Sequence, residues 1–261
     1  MPLKKSKVFL KQKLLDKELV IGSWITLAHP SIAEIMAGSS FDWLAVDLEH
    51  SVITIREAEE LIRIIDLAGV VPLVRLTSNN SDQIKRVMDA GSHGVIVPMV
   101  NCAKDAELAV KAVKYPPFGK RGFGLARAQG YGNRFKEYLE WQEKHSVVIV
   151  QVEHIDAVNN LEEIFGVDGV DGYMIGPYDL SGSLGIPGQF DHPDLLEAME
   201  KIRMVAAKFN KTGGIHVVEP DALQLKQAIK EGQRFIAYSV DIRMIDQACR
   251  EGLDYIKELR K

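Results

Sequence analysis

Cysteine is nearly absent: Cys102 and Cys249 are the only two in 261 residues. That excludes a disulfide framework and points to a reducing, cytoplasmic setting, with each thiol expected to pack as a small buried hydrophobe. Basic excess is absent too. The 32 Lys and Arg against 36 Asp and Glu leave a net charge of −4, spread without basic blocks, which argues against a nucleic-acid partner. No long apolar run exists. The basic start, Lys4, Lys5 and Lys7, has only Val8, Phe9 and Leu10 behind it, too short for a signal-peptide core or a membrane span. Low-complexity tracts and close repeats are also missing. What is present is 46% hydrophobic residues, enough for a large core and too many for a disordered chain.

A pattern recurs instead: a short β-rich apolar run, a polar loop, then a helical stretch. The runs are Ile21–Leu27, Trp43–Leu48, Val71–Leu76, Gly94–Val100, Val147–Val152, Gly172–Ile175, Gly213–Val218 and Phe235–Val240. They are rich in Val, Ile and Leu without alternation, as strands buried on both faces should be. Thr54 and Glu57 form a capping-box pair, Ser81–Ala90 stops at Gly91, and Asp194–Asn210, Pro220–Ile229 and Met244–Gly252 read as amphipathic helices. Eight such units in a chain of this length fit one (β/α)8 barrel domain over residues 1–261, since these barrels run ~250 residues. An open doubly wound sheet is the alternative. It lacks its Gly-x-Gly-x-x-Gly turn after the first strand, and the nearest string, Gly119 to Gly124, falls in a loop after a helix. The segment from Tyr115 to His145 breaks the rhythm, with helix expected over Phe135–Glu143. Loops of that length are usually functional.

Active sites of such barrels lie at the C-terminal ends of the strands. Polar groups collect there: Asp47, Glu49 and His50 after the second run, Arg75 in the third, Gln151 and Glu153 in the fifth, Gly176, Pro177, Tyr178 and Asp179 after the sixth, His216 in the seventh and Asp241 after the eighth. Glu153 and Asp179 come from consecutive strands. Two carboxylates without a nearby Cys suit a hard cation such as Mg2+ or Mn2+; a salt bridge from Glu153 to Arg75 is the structural alternative. His50 beside Asp47 and Glu49 suits a general base, or else a solvated loop residue capping a helix. Arg75 can hold a carboxylate or enolate oxygen through its fork, or form a core ion pair with Glu49 or Glu153. Backbone N–H groups of Tyr178 and Asp179 can face an anion, whereas Pro177 has none to offer. Trp24 and Trp141 read as packing residues, with Trp24 near the first strand's mouth. Asp168 and Asp171 read as turn residues and His93 as sitting at the far end, while His29, His145, His154 and His192 have no evident partner.

No apolar run contains Lys, so a Schiff-base aldolase lacks its usual strand amine, leaving only loop Lys120, and a metal Lewis acid is the usual replacement. The residues after strands seven and eight, Val218-Glu219-Pro220 and Asp241-Ile242-Arg243, lack the Gly-rich turn of phosphate-handling barrels.

From about Val20 to Gly252 the chain resembles the HpcH/HpaI family of metal-dependent (class II) pyruvate aldolases and their citrate-lyase relatives. The matching pieces are Phe41 to His50, Val97-Pro98-Met99-Val100, Tyr115-Pro116-Pro117 with Gly119 and Arg121-Gly122, Gln151-Val152-Glu153, and Ile175 to Ser181. The resemblance implies reversible cleavage of a 4-hydroxy-2-oxo acid, such as a 2-dehydro-3-deoxy sugar acid, to pyruvate and an aldehyde. Citrate-lyase-like cleavage or oxaloacetate decarboxylation through the same enolate is the enzymatic alternative; a 2-oxo-acid binding protein is the non-catalytic one. It implies Glu153 and Asp179 as ligands of Mg2+, Mn2+ or Co2+, no organic cofactor, and pyruvate chelating the metal beside Gln151, Gly176, Pro177 and Tyr178. Arg75 would stabilise the enolate oxygen, His50 paired with Asp47 would move the 4-hydroxyl proton, and Glu49 would support the site by hydrogen bonds. Trp24 and His216 join the substrate-binding candidates, His216 replacing an aliphatic residue common in relatives and facing the aldehyde portion. Homo-oligomers, as hexamers or trimers of dimers with an exchanged C-terminal helix, are also implied. No membrane or nucleic-acid partner is.

Overall fold

The computed structural model describes residues 9–259; the basic start at Lys4, Lys5 and Lys7 lies outside them. Eight strands form in chain order: β1 (Val20–Ile25), β2 (Trp43–Asp47), β3 (Val71–Arg75), β4 (Gly94–Val97), β5 (Val147–Val152), β6 (Gly172–Ile175), β7 (Thr212–Val217) and β8 (Phe235–Val240). Each pairs in parallel with its successor, and β8 returns to β1, closing the barrel. The unalternating strand sequences follow from that closure, because one face meets the barrel interior and the other the surrounding helices. β5, β6 and β8 coincide with their apolar runs. β4 stops short because Met99 adopts a left-handed φ of 52° that no strand continues.

The barrel is filled, not hollow. Trp43 stacks on Phe235 at 4.5 Å, and Leu73, Ile96, Ile149 and Met174 share their cluster. Gly22 is bare for this reason: a Cβ there would lie 2.0 Å from the Trp43 ring. Leu10 and Leu14, from the helix Leu10–Leu15, join the same cluster at the N-terminal strand ends. Burying each such side chain contributes ~1.5–3 kcal/mol. Thr54 caps Ile55–Leu67 through the expected reciprocal box, and Gly91, at φ 104°, ends Ser81–Ala90.

β1 and β8 are tied at their C-terminal ends by Asp241. Its buried carboxylate accepts the backbone N–H groups of Thr26 and Leu27, both at 2.8 Å, and the Thr26 hydroxyl at 2.6 Å. The long segment after Tyr115 goes to the opposite end. It contains a 3-10 turn, Arg127–Gln129, and the helix Phe135–His145. Arg121 donates to Asp89 (2.5 Å) and Tyr138 (3.0 Å), and Arg127 donates to Asp66 (2.6 Å) and the Ala90 carbonyl (3.1 Å). Both acids sit where their helices end, below the barrel, so within one chain this segment braces the floor and does not border the catalytic rim. Lys114 is buried there too, its ammonium donating to the carbonyls of Gln142 (2.7 Å) and Glu143 (2.8 Å) and to Ser146 (2.8 Å).

The buried-thiol expectation fails. Cys249 is exposed, and Cys102, half-buried, precedes Ala103–Val113 with its sulfur 3.2 Å from Asp105. The last helix, Asp241–Leu259, leaves Ile245, Leu253 and Ile256 exposed at 43%, 61% and 38%. Among the described residues no helix is long and apolar enough to cross a membrane.

Candidate active site

Period-two alternation decides which residues face the mouth. β2 sends Trp43 and Ala45 inward, hence Asp47; β3 sends Val71 and Leu73, hence Arg75; β5 sends Val147 and Ile149, hence Gln151 and then Glu153. Trp24 of β1 and His216 of β7 complete this layer, their rings 5.9 Å apart edge to face.

Arg75 is held by Asp47 through both arms of the fork: Nε donates to Oδ1 at 2.8 Å and Nη2 to Oδ2 at 2.6 Å. The pair is adjacent in the β2–β3 register. Asp47 Oδ1 also accepts the backbone N–H of Glu49 (3.0 Å) and of His50 (3.3 Å). Arg75 Nη1 stands 3.4 Å from Glu49 Oε2, and the guanidinium carbon lies 4.4 Å from the centre of the Trp24 ring. Three side chains of the sequence reading stand as follows. The His50 imidazole has no bond to Asp47, whose oxygens serve Arg75 and two backbone N–H groups; its Nε2 lies 3.8 Å from Glu49 and its side chain is 65% exposed. Glu49 hydrogen-bonds Asp47 through its backbone N–H, while its buried carboxylate Oε2 accepts no hydrogen bond. Trp24, 2% exposed, packs against Arg75, in line with the packing reading of its sequence position.

Burial pushes the Glu49 carboxyl up to about 7; Arg75 opposes the shift, while Glu153, Asp47 and Asp179 add to it. Glu153 is also raised by burial, opposed by two hydrogen bonds. Its Oε1 accepts the Met99 N–H at 2.7 Å and its Oε2 accepts Gln151 Nε2 at 2.5 Å. The left-handed Met99 that ends β4 therefore aims its N–H at Glu153, a contact the sequence reading missed. Asp179 lies in the first turn of Pro177–Ser183, immediately after β6, where the helix dipole favours a negative charge. A Cβ added to Gly176 would meet Glu153 Oε2 at 2.9 Å and Asp179 Oδ2 at 3.8 Å. The two carboxylates thus flank one point, kept open because residue 176 is glycine.

That point fits a hard divalent cation. The donors are carboxylate oxygens, and Gln151 Oε1 beside them is buried without a partner. Among the described residues no three His, Cys, Asp or Glu side chains group tightly enough to hold a metal alone. Glu153 and Asp179 would supply two ligands, leaving positions for substrate oxygens and water. Tyr178, 60% exposed, meets Phe190 edge to face at 4.8 Å on the lip beside them. A cavity of about 480 Å3, bordered by Tyr173, Arg203 and Arg234, lies between β7 and the helix Pro193–Lys208, away from these groups.

The remaining histidines do have partners. His29, His154 and His192 each begin a helix, with Nδ1 accepting the N–H of Ser31 (3.2 Å), Asp156 (3.1 Å) and Asp194 (3.3 Å). His145 stacks on Phe9 at 3.7 Å, and His93 pairs with Asp66 at 3.4 Å on the floor.

The description HpcH/HpaI aldolase/citrate lyase belongs to the family model that matches residues 20–248. The chain belongs to that family. It is therefore an enzyme, a lyase of the aldolase class. It is 36% identical over 250 residues to 2-keto-3-deoxy-L-rhamnonate aldolase of Escherichia coli (strain K12), covering 95% of this chain and 92% of that one. The structure of an HpcH/HpaI aldolase/citrate lyase family protein from Burkholderia cenocepacia J2315 matches with a TM-score of 0.89 at 33% identity, covering 95% and 98% of the two chains. An HpcH/HpaI aldolase from Desulfitobacterium hafniense DCB-2 matches with a TM-score of 0.87 at 32% identity, covering 96% and 97%. In this HpcH/HpaI family member, Asp47, Arg75, Gln151, Glu153 and Asp179 gather at the C-terminal rim of the barrel.

Proposed function

We propose that this enzyme reversibly cleaves a 4-hydroxy-2-oxo acid to pyruvate and an aldehyde, using Mg2+ or Mn2+ held by Glu153 and Asp179. The convergence of these carboxylates on the bare face of Gly176, within the electrostatic reach of Arg75, carries the reading. A cation there would polarise the carboxylate and keto oxygens of the 2-oxo acid. Arg75, locked by Asp47 and backed by Trp24, presents fixed positive charge where negative charge develops on the keto oxygen as the C3–C4 bond breaks. Because Asp47 and Trp24 set its orientation beforehand, no reorganisation is needed during the reaction. The 4-hydroxyl proton goes to His50, whose exposed imidazole stands beside Glu49. Gln151 holds Glu153 in place through its amide, and Gly176, Pro177 and Tyr178 border the bound acid.

The test is proton exchange of the pyruvate methyl group in D2O with added Mg2+ or Mn2+, followed by condensation with a panel of aldehydes. Metal-dependent exchange and aldol product are expected, and chelation should stop both. Absence of exchange would overturn the reading. Oxaloacetate turnover alone would move it to decarboxylation, and ligand-dependent stabilisation without turnover to a binding protein. No organic cofactor enters this scheme.

Residues 1–261 are read as one domain, and the enzyme as a cytoplasmic homo-oligomer in which Asp241–Leu259 packs on a neighbour. The exposed apolar side chains of that helix and the unpaired cysteines support this. Light scattering of the intact chain and of one ending at residue 243 tests the assembly: the shorter chain should fall to a smaller species.

A further inference from the structure

Resting on the reading of Glu153 and Asp179 as metal ligands, we propose that Ser183 is a positioning residue: its hydroxyl clasps the segment carrying Glu153 to the helix carrying Asp179, at a spacing that favours a small cation of Mg2+ size. The strands alone do not set that spacing. The β5–β6 pairing runs up to the Gly176 N–H, which donates to the Val152 carbonyl at 3.2 Å. Pro177, without an N–H, offers no further donor. Beyond it both segments leave the sheet: Glu153 and His154 lead into the helix Ile155–Asn159, and Pro177 opens Pro177–Ser183.

Ser183 joins them again. The Ile155 N–H donates to Ser183 Oγ at 3.0 Å, and the same hydroxyl donates to the Leu180 carbonyl at 2.7 Å. Ile155 follows Glu153 by two residues, Leu180 comes directly after Asp179, and Ser183 stands one helical turn beyond it. The Ile155 N–H opens its helix and has no partner inside it; the next one, of Asp156, is taken by His154 Nδ1 at 3.1 Å. Leu180 is fully buried, and its N–H donates to the Gly176 carbonyl at 2.9 Å. A ring of hydrogen bonds thus runs from Val152 to Gly176, Leu180, Ser183 and Ile155, and the chain returns it through Glu153. Mg2+ demands near-ideal geometry at ~2.0–2.1 Å, whereas Ca2+ accepts flexible oxygen sets at ~2.3–2.6 Å. Carboxylates free to spread serve the larger ion; carboxylates clasped together keep the smaller one.

The experiment follows Mn2+ binding to the full chain by EPR of the free ion, with Mg2+ and Ca2+ as competitors. Two single changes open the clasp from opposite sides. Ser183→Ala removes the hydroxyl. Ile155→Pro removes the N–H, and the backbone admits it: Ile155 is the first residue of its helix, and His154 before it is already extended at φ −137° and ψ 148°. Each should weaken Mg2+ by about 10-fold and Ca2+ by less. The double variant should lose no more than either single one, because both remove the same bond. Ser183→Thr, which keeps the hydroxyl, should hold the wild-type ratio of Mg2+ to Ca2+ affinity. Melting of the metal-free proteins reports folding separately, and if Ser183→Ala fails to fold, Ile155→Pro decides. Unchanged Mg2+ affinity, equal losses for the two cations, or additive losses in the double variant would overturn the assignment. Failure of the metal-ligand reading shows differently, as a wild type that binds no Mn2+, and it takes this assignment with it. Wild-type Mn2+ binding with an unmoved ratio in the variants overturns only the role of Ser183.

Discussion

The two ends of the barrel bury charge in opposite ways. At the floor, each buried cation meets acceptors, although Arg121 Nε and the amide oxygens of Gln129 and Gln142 stay unpaired. Lys114 has three acceptors within 2.8 Å, and Arg121 has Asp89, Tyr138 and the face of Tyr115. At the rim, Glu49 keeps an oxygen with no hydrogen-bond donor, Gln151 keeps an unpaired oxygen, and four carboxylates surround one arginine. Uncompensated buried charge is costly. The excess of negative charge at the rim is what a bound cation would offset. The contrast lies in charge balance: cations meet acceptors below, whereas carboxylates outnumber the one arginine above.

The comparison can be broken at several points. The largest effect should come from Glu153→Gln or Asp179→Asn, with turnover falling ~10^3-fold or more. Because each also removes like-charge repulsion, the metal-free variant should melt no lower than wild type; a large loss of melting temperature would mean these acids belong to the scaffold. Arg75→Lys should lower kcat/KM by about 100-fold, since a point charge cannot take the two-armed grip of Asp47; near-normal kinetics would relegate the fork to structure. On the floor the sign reverses. Lys114→Met should cost about 1–3 kcal/mol in chemical denaturation, because Gln142, Glu143 and Ser146 lose their common donor, while KM for pyruvate stays within error.

The smallest effect sharpens the contrast through pH. Folded Glu49 titrates at about 7 against an ordinary 4.5. Between those values the folded chain holds a proton that the unfolded chain has released, so metal-free stability should fall as pH rises across that window. Glu49→Gln should remove that fall, leaving the variant more stable than wild type at pH 8 by about 1–3 kcal/mol in paired melts. Equal slopes in the two proteins would mean that Glu49 is not desolvated.

Much of this was readable from residues alone. The eight runs, the capping box at Thr54 and the stop at Gly91 are local signals, and local signals survive folding. Strand periodicity also carried Asp47, Arg75, Glu153 and Asp179 to one rim. Pairing was less legible. Asp47 ends β2 with Glu49 in the loop after it, and only register shows that Asp47 is level with Arg75. With Asp47 taken by Arg75, the His50 imidazole stands 3.8 Å from Glu49. Met99 and Ser239 could not be anticipated, because a non-glycine residue in the left-handed region has no compositional sign. The segment after Tyr115 reads as functional by length, and its arginines serve helix ends below the barrel.

Asp241 has a consequence in time. It fastens the last strand to the loop after the first, joining residues 215 positions apart, so ring closure is the most entropically expensive contact in the barrel. A chain emerging from the ribosome amino end first can stack strand upon strand, yet no complete mouth exists until the eighth strand arrives. His216 then receives its carbonyl partner from Ser239, and Trp24 gains the imidazole that sets its edge. The mouth of the barrel is thus completed only when the last strand docks on the first.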